Sequence, residues 1–418
     1  MAKFSTLAAA AAALCVLSGA GNLAAAGEVE VLHYWTSGGE AKSAAELKKM
    51  MEAKGHTWKD FAVAGGGGDN AMTVLKSRVV SGNPPAAAQV KGPAIQEWAS
   101  EGVLANMDAV AKAEKWDAML PKVVADVMKY KGNYVAAPVN VHRVNWLWGS
   151  SDALKKAGVA SMPKNFDEFF AAADKLKAAG LIPVAHGGQN WQDFTTFESV
   201  VLGVGGPKFY QEAMVKLDPK ALGSDTMKKS LETFRKIKGY TDAAAPGRDW
   251  NLATAMLIQG KAGFQFMGDW AKGEFLAAGK VPGKDFMCAA APGTSNAYTF
   301  NVDSFILFKL KDASAQKAQA DLAAAIMSPE FQEVFNLNKG SIPVRLGMKM
   351  DKFDDCGKQS AKDFVDTAKS GGLVPSIAHG MAVAPSVEGA IKDAVSQFWN
   401  DDKITVADAM KKIVSAAK

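Results

Sequence analysis

Between Glu28 and Gly102 the chain alternates short apolar runs with amphipathic stretches, and this alternation limits the folds open to it. Val29, Val31 and Leu32 read as a strand. Residues 41–54 follow with Ala44, Leu47, Met50 and Met51 at helical spacing, and Gly55 ends the helix. Residues 61–64 read as a second strand. Asp69 or Asn70 is expected to cap the next helix, with Met72, Leu75 and Val79 as its buried stripe. Gly82-Asn83-Pro84-Pro85 stops it, residues 86–91 read as a third strand, and Gly92-Pro93 leads into a short helix with Ile95 and Trp98. A β-α-β-α-β order of this kind belongs to an α/β protein with a parallel sheet and helical crossovers.

Ligands of such sheets collect beyond the carboxyl ends of the strands. The first of these ends carries Tyr34 and Trp35, then small polar residues and Glu40. An indole offers a flat apolar surface to a small polar molecule with a C–H face. The pair either faces a ligand or caps the sheet end, and the residues leave both readings open. Gln89 and Lys91, two apart at the third strand end, share a face.

The first residues have a basic start at Lys3, an apolar Ala/Leu stretch and Ala24-Ala25-Ala26. This is the pattern of a secretory signal peptide over 1–26, cleaved after Ala26. Export to the periplasm is expected. Residues 27–418 exceed what one core normally supports, so two lobes are expected. The formal net charge of +5 is spread without a basic block, which argues against a nucleic-acid partner. Of three cysteines, Cys15 lies within the signal; Cys288 and Cys356 could pair in an oxidising compartment, or not.

Residues 134–148 form a long strand-like run with Pro138 inside it, suited to leaving one sheet and entering another. A helix then starts with Asn165 as cap and Glu168 three residues on, and stops at Gly180. Residues 187–193 read as a strand-end loop holding Trp191, and Gly268-Asp269-Trp270 closes the strand over 261–267. Residues 302–308 read as a strand with Asp303 near its start. Ser328 and Pro329 open a helix that ends at Asn338-Lys339-Gly340, and Thr405 with Asp408 opens the last one. Trp98, Trp116 and Trp399 sit at apolar spacing and are expected in cores.

Enzyme signatures are incomplete. Gly65 to Gly68 lies between a strand and a helix but lacks the spacing and lysine of a phosphate loop, so it reads as a place of close backbone approach. No histidine pair has helical ligand spacing, and no serine sits in a nucleophile elbow; neither metal nor cofactor is expected. Glu40 and Asp303 could in principle form a glycosidase pair. What recurs instead is a tryptophan at a strand end beside amide, acid or lysine groups, a combination that suits a neutral polyol, because hydroxyls both donate and accept.

With these residues assembled, the chain resembles the extracellular solute-binding proteins of bacterial ABC sugar importers, most like the members that bind glucose or mannose. The resemblance rests on VEVLHYWTSGGE from Val29, GGGGDNAMTVLKSRVVSGNPPAAAQVKG from Gly65 and GKAGFQFMGDWAKGEF from Gly260. AYTFNVDSFILF from Ala297 and SPEFQEVFNLNKGSIPVR from Ser328 complete it. It implies the two-lobed periplasmic-binding-protein fold with a ligand cleft between the lobes, one from 27–140 plus 298–343, the other from 141–297 plus 344–418. It implies a sugar, glucose first, or alternatively a disaccharide or oligosaccharide. The sugar would be held by Trp35, Glu40, Gln89, Lys91, Trp270, Asp303, Lys339 and His379, with no reaction, and delivered by a monomer to a membrane permease. Tyr34 stands where such proteins often carry a second tryptophan.

Overall fold

The computed structural model describes residues 26–418. The signal segment expected over 1–26 lies outside the described residues, save its last alanine. The first sheet holds, in spatial order, β2 (Thr57–Ala62), β1 (Glu28–His33), β3 (Ala87–Gln89), β13 (Ser304–Leu307) and β6 (Ala136–Pro138). β1 pairs parallel with β2 and β3, as the alternation predicts, whereas β13 enters antiparallel to both its neighbours. The second sheet runs β11 (Phe286–Ala290), β8 (Trp146–Ser150), β10 (Ala262–Phe266) and β9 (Ile182–Val184). A third, of β14 (Leu373–Pro375), β12 (Tyr298–Asn301) and β7 (His142–Arg143), lies where the chain passes between the other two. β4 (Lys129–Tyr130) and β5 (Asn133–Tyr134) form a small ribbon.

Each large sheet has its own apolar filling. Val31, Leu32, Ile95, Phe305, Leu322 and Phe331 belong to the core around the first sheet. Phe169, Phe197, Phe234 and Phe264 fill one side of the second sheet, and Trp148, Phe275 and Phe286 a separate cluster against it. Burial of apolar area, at roughly 25 cal/mol per Å², holds each sheet to the helices packed on it. The passage predicted over 134–148 is observed: the chain leaves the first sheet at β6, contributes β7 to the third and enters the second at β8.

Several helix ends are capped where the sequence predicts. Asn165 accepts from the Glu168 amide, Ser328 from that of Phe331 and Thr405 from that of Asp408. Others need correction. The second strand occupies Thr57–Ala62, not 61–64, because an edge strand buries only Trp58 while Lys59 and Asp60 hide its alternation. Neither Asp69 nor Asn70 caps its helix; Gly68 holds the cap position at φ 94°, and Asn70 bonds back to the carbonyl of Ala64. The first helix begins at Gly38, placing Glu40 in its first turn. Trp191 likewise sits in the first turn of the helix Asn190–Tyr210, which breaks at Gly206, rather than in a loop. β12, buried along its whole length, and β14, three residues long, carry no alternation that would mark them as strands. Trp116 and Trp399 are core residues as expected, and Trp98 packs half-buried at the edge of the first core. Cys288 and Cys356 form a disulfide, Cα atoms 6.2 Å apart, tying β11 to the helix Asp355–Ser370.

Candidate functional site

Strand ends from both large sheets meet in a cleft. A chamber there has an empty volume of about 380 Å³ and is lined by Trp35, Glu40, Lys91, Trp270, Asp303, Lys339 and His379 among the residues named from sequence. Gln89 stands behind this wall. Its Nε2 donates to Asp303 Oδ1 at 3.2 Å, and its Oε1 accepts from the Tyr34 amide at 3.3 Å, so it orients an acid and the first strand end together.

The turn after β1 is built differently from its exposed look in sequence. Tyr34 and Trp35 are buried, at 8% and 2% exposure. Trp35 meets Phe305 edge-on, ring centres 5.5 Å apart, and lies 5.1 Å from Phe335, which fixes the indole while one side lines the chamber. Next in the chain, Glu40 accepts from Lys339 Nζ at 2.6 Å. The acid lies at a helix N-terminus and the lysine at the C-terminus of Pro329–Lys339, so each charge is also favoured by its helix dipole.

Asp303, between β12 and β13, accepts from Gln89, from Asn140 Nδ2 at 3.2 Å and from His142 Nε2 at 2.9 Å. Burial works against its charge, but His142, Lys339 and Lys91 outweigh it and hold the carboxyl well below the usual range. His142 is clamped between Asp303 and Asp269, one from each side of the cleft. Burial opposes the imidazolium, yet the two carboxylates raise its pKa above the ordinary value. His142 was not recognised in sequence; it sat in the crossing run, and only the pairing of β7 with β12 brings it to the acids.

On the opposite side, Trp270 follows β10 through Gly268, where a Cβ would lie 2.2 Å from the indole ring. Its ring centre is 5.2 Å from His142 and 4.9 Å from His379. His379 shares a bond with Thr195 Oγ1 at 2.9 Å, and burial, helped by Lys91 and His142, keeps it neutral, well below its usual pKa. Its loop is anchored by buried Glu198, which accepts from Ser376, Tyr210 and the amides of Ile377 and Ala378. With His142, the residues Tyr34, Gly66, Gly67, Trp191, Trp250 and Asn301 complete the lining. The recurring strand-end tryptophans could have flagged Trp191; Asn301 gave no signal. The hydroxyl of Tyr34 and Oδ1 of Asn301 are buried without a hydrogen-bond partner.

The glycine run is a close approach, as its incomplete motif suggested. A Cβ on Gly66 would lie 2.8 Å from Trp191 and 3.1 Å from Trp250, and one on Gly67 2.9 Å from Trp191. Asp69 and Lys392 also pair across the cleft at 3.0 Å, and the Gly39 amide donates to Glu274 at 2.9 Å. The two sides are therefore closed on each other.

Residues 37–333 match the model of the bacterial extracellular solute-binding protein family. The chain belongs to that family. It is 49% identical over 410 residues to a probable sugar-binding periplasmic protein of Brucella suis, covering 97% of this chain and 96% of that one. Among solved structures, a chitin oligosaccharide binding protein aligns with a TM-score of 0.78 at 20% identity, over 93% of this chain and 98% of that one. The bacterial solute receptor AcbH, described as exclusively preferring b-D-galactopyranose, aligns with a TM-score of 0.79 at 18% identity, over 94% and 98%. The fold is thus that of the two-lobed periplasmic binding proteins.

Hydrolysis fits this chamber poorly. A glycosidase needs one carboxyl that holds a proton. Asp303 is held ionised by a histidine and two lysines, so it is not free to act as that acid, and Glu40 is paired with Lys339.

Proposed function

We propose that this protein is the exported, periplasmic sugar-binding component of an ABC importer, holding a monosaccharide, glucose first, between its lobes and passing it unchanged to a membrane permease. The lobes would comprise 27–140 plus 298–343 and 141–297 plus 344–418. The observation that carries the reading is charge balance among indoles. Glu40 and Asp303 face Lys339, Lys91 and His142, with Asp269 behind, so acids and cations answer one another and favour a neutral guest. Charge-assisted bonds to sugar hydroxyls are the strong ones, and Trp35, Trp270 and Trp191 supply flat faces for ring C–H groups. Relatives named as sugar-binding periplasmic proteins support the same class of cargo.

A thermal-shift panel of glucose, mannose, galactose, xylose, maltose and cellobiose tests it. A sugar at 100 times its Kd should stabilise the native state by about 2.7 kcal/mol. No shift with any sugar, or release of the aryl group from aryl glycosides, would refute the reading. A second reading, an oligosaccharide cargo, draws on an adjoining cavity of about 1120 Å³ that shares Tyr34, Gly67, Lys91, Trp191 and His379 with the chamber.

A further inference from the structure

The two cavities meet at a wall of identifiable construction. Tyr34 comes from the end of β1 and Trp191 from the first turn of the helix Asn190–Tyr210, one from each side of the cleft. Residues 66–68 thread between them with no room for a side chain: a Cβ on Gly67 would lie 2.9 Å from the Trp191 indole and one on Gly68 2.8 Å from the Tyr34 ring. Both aromatic rings and Gly67 line the inner chamber and the outer cavity alike. The wall leaves no space for a side chain at Gly67 or Gly68, and it carries one polar atom, the buried Tyr34 hydroxyl, that bonds to nothing. A buried hydroxyl without a partner costs free energy that a correctly placed ligand hydroxyl would recover.

We propose that Tyr34, Gly67 and Trp191 form a partition that restricts the site to a single sugar ring, with the Tyr34 hydroxyl bonding a hydroxyl of that ring. This rests on the sugar-binding reading and makes it more specific: the partition, rather than the overall size of the cleft, excludes a second ring from the larger outer cavity. Because the wall is assembled from both lobes, it is complete only when they close. A disaccharide would hold them apart.

The experiment compares affinities by calorimetry for glucose, mannose, galactose and xylose and for maltose, cellobiose, lactose and melibiose. Wild type should bind its best monosaccharide at least tenfold more tightly than any of the disaccharides. Tyr34→Phe keeps the wall and removes the hydroxyl, so monosaccharide affinity should fall about tenfold while disaccharides stay excluded. Tyr34→Ala and Trp191→Ala breach the wall from opposite sides. Each should shift the ratio at least tenfold toward a disaccharide, with folding checked by circular dichroism, and either folded variant suffices. A wild type that prefers a disaccharide, or breached variants with an unchanged ratio, overturns the partition while leaving the sugar site standing. Absence of binding to all eight sugars overturns the reading beneath it and the partition with it.

Discussion

Replacing one hydrogen tests closure directly. Gly66 lies on the first-sheet side, and the nearest atoms to a Cβ there are Trp191 Cζ2 at 2.8 Å and Trp250 Cδ1 at 3.1 Å, both from the other side. Carbon contacts settle at about 3.5–4.0 Å. Unlike Gly65, Gly67 and Gly68, Gly66 does not have a positive φ, so alanine meets no backbone strain. The whole penalty therefore belongs to the closed form. Overpacking of this kind costs about 1–3 kcal/mol. Paid only on closure, it should weaken sugar binding by about 5- to 150-fold. The sugar-free protein should melt as wild type does, because an open cleft leaves the new methyl in solvent. Calorimetry gives the affinity, and small-angle scattering at saturating wild-type sugar concentration should give a larger radius of gyration for Gly66→Ala. Unchanged affinity and radius would refute interlobe closure at this contact. A lowered melting temperature matching the affinity loss would mean that the three residues stay together in the unliganded state.

Trp270→Ala should weaken sugar binding tenfold or more, from stacking worth about 0.5–1.5 kcal/mol plus lost burial, with circular dichroism unchanged; wild-type affinity by calorimetry would remove the indole from the site. Asp303→Asn should cost about 1.5–3 kcal/mol per charge-assisted bond lost, so an affinity within twofold of wild type would exclude Asp303 as a ligand. The His142 bridge should make stability depend on pH in a defined window. Asp303 titrates below its unfolded value, so its contribution is full above about pH 4 and fades on acidification; His142 titrates above its own, so its contribution is full below about pH 6.5 and is lost as pH rises through the raised pKa. The melting-temperature difference between wild type and His142→Gln should accordingly be largest between those limits and shrink as pH rises through the raised pKa of His142, and a difference that does not change with pH would contradict the bridge. Glu198→Ala strips the acceptor from four donors that hold the His379 loop, and thermal denaturation should show a loss of about 3 kcal/mol or more.

Much of this protein was legible one segment at a time. Asn165, Ser328 and Thr405 announce their helices because a cap and its amide are three residues apart, a relation that needs no tertiary partner. The strand–helix alternation from Glu28 onward announces the parallel pairing of β1 with β2 and β3, since each crossover helix carries the chain back to the end of the sheet where the previous strand began. Strand-end tryptophans could be picked out for a local reason too: an indole beside amide, acid or lysine groups at the end of a buried run pairs a flat apolar face with polar groups. What the sequence alone could not decide is anything made by residues far apart in the chain. The Glu40–Lys339 pair spans 299 positions, and the Asp303–His142 contact spans 161. Isolated charges read as surface, and their pairing depends on which strands become neighbours, above all on the antiparallel entry of β13 and on β7 meeting β12. The same holds for Gly66 and Gly67. Sequence marks them as a place where something comes close, and only the closing of one lobe on the other makes that something Trp191.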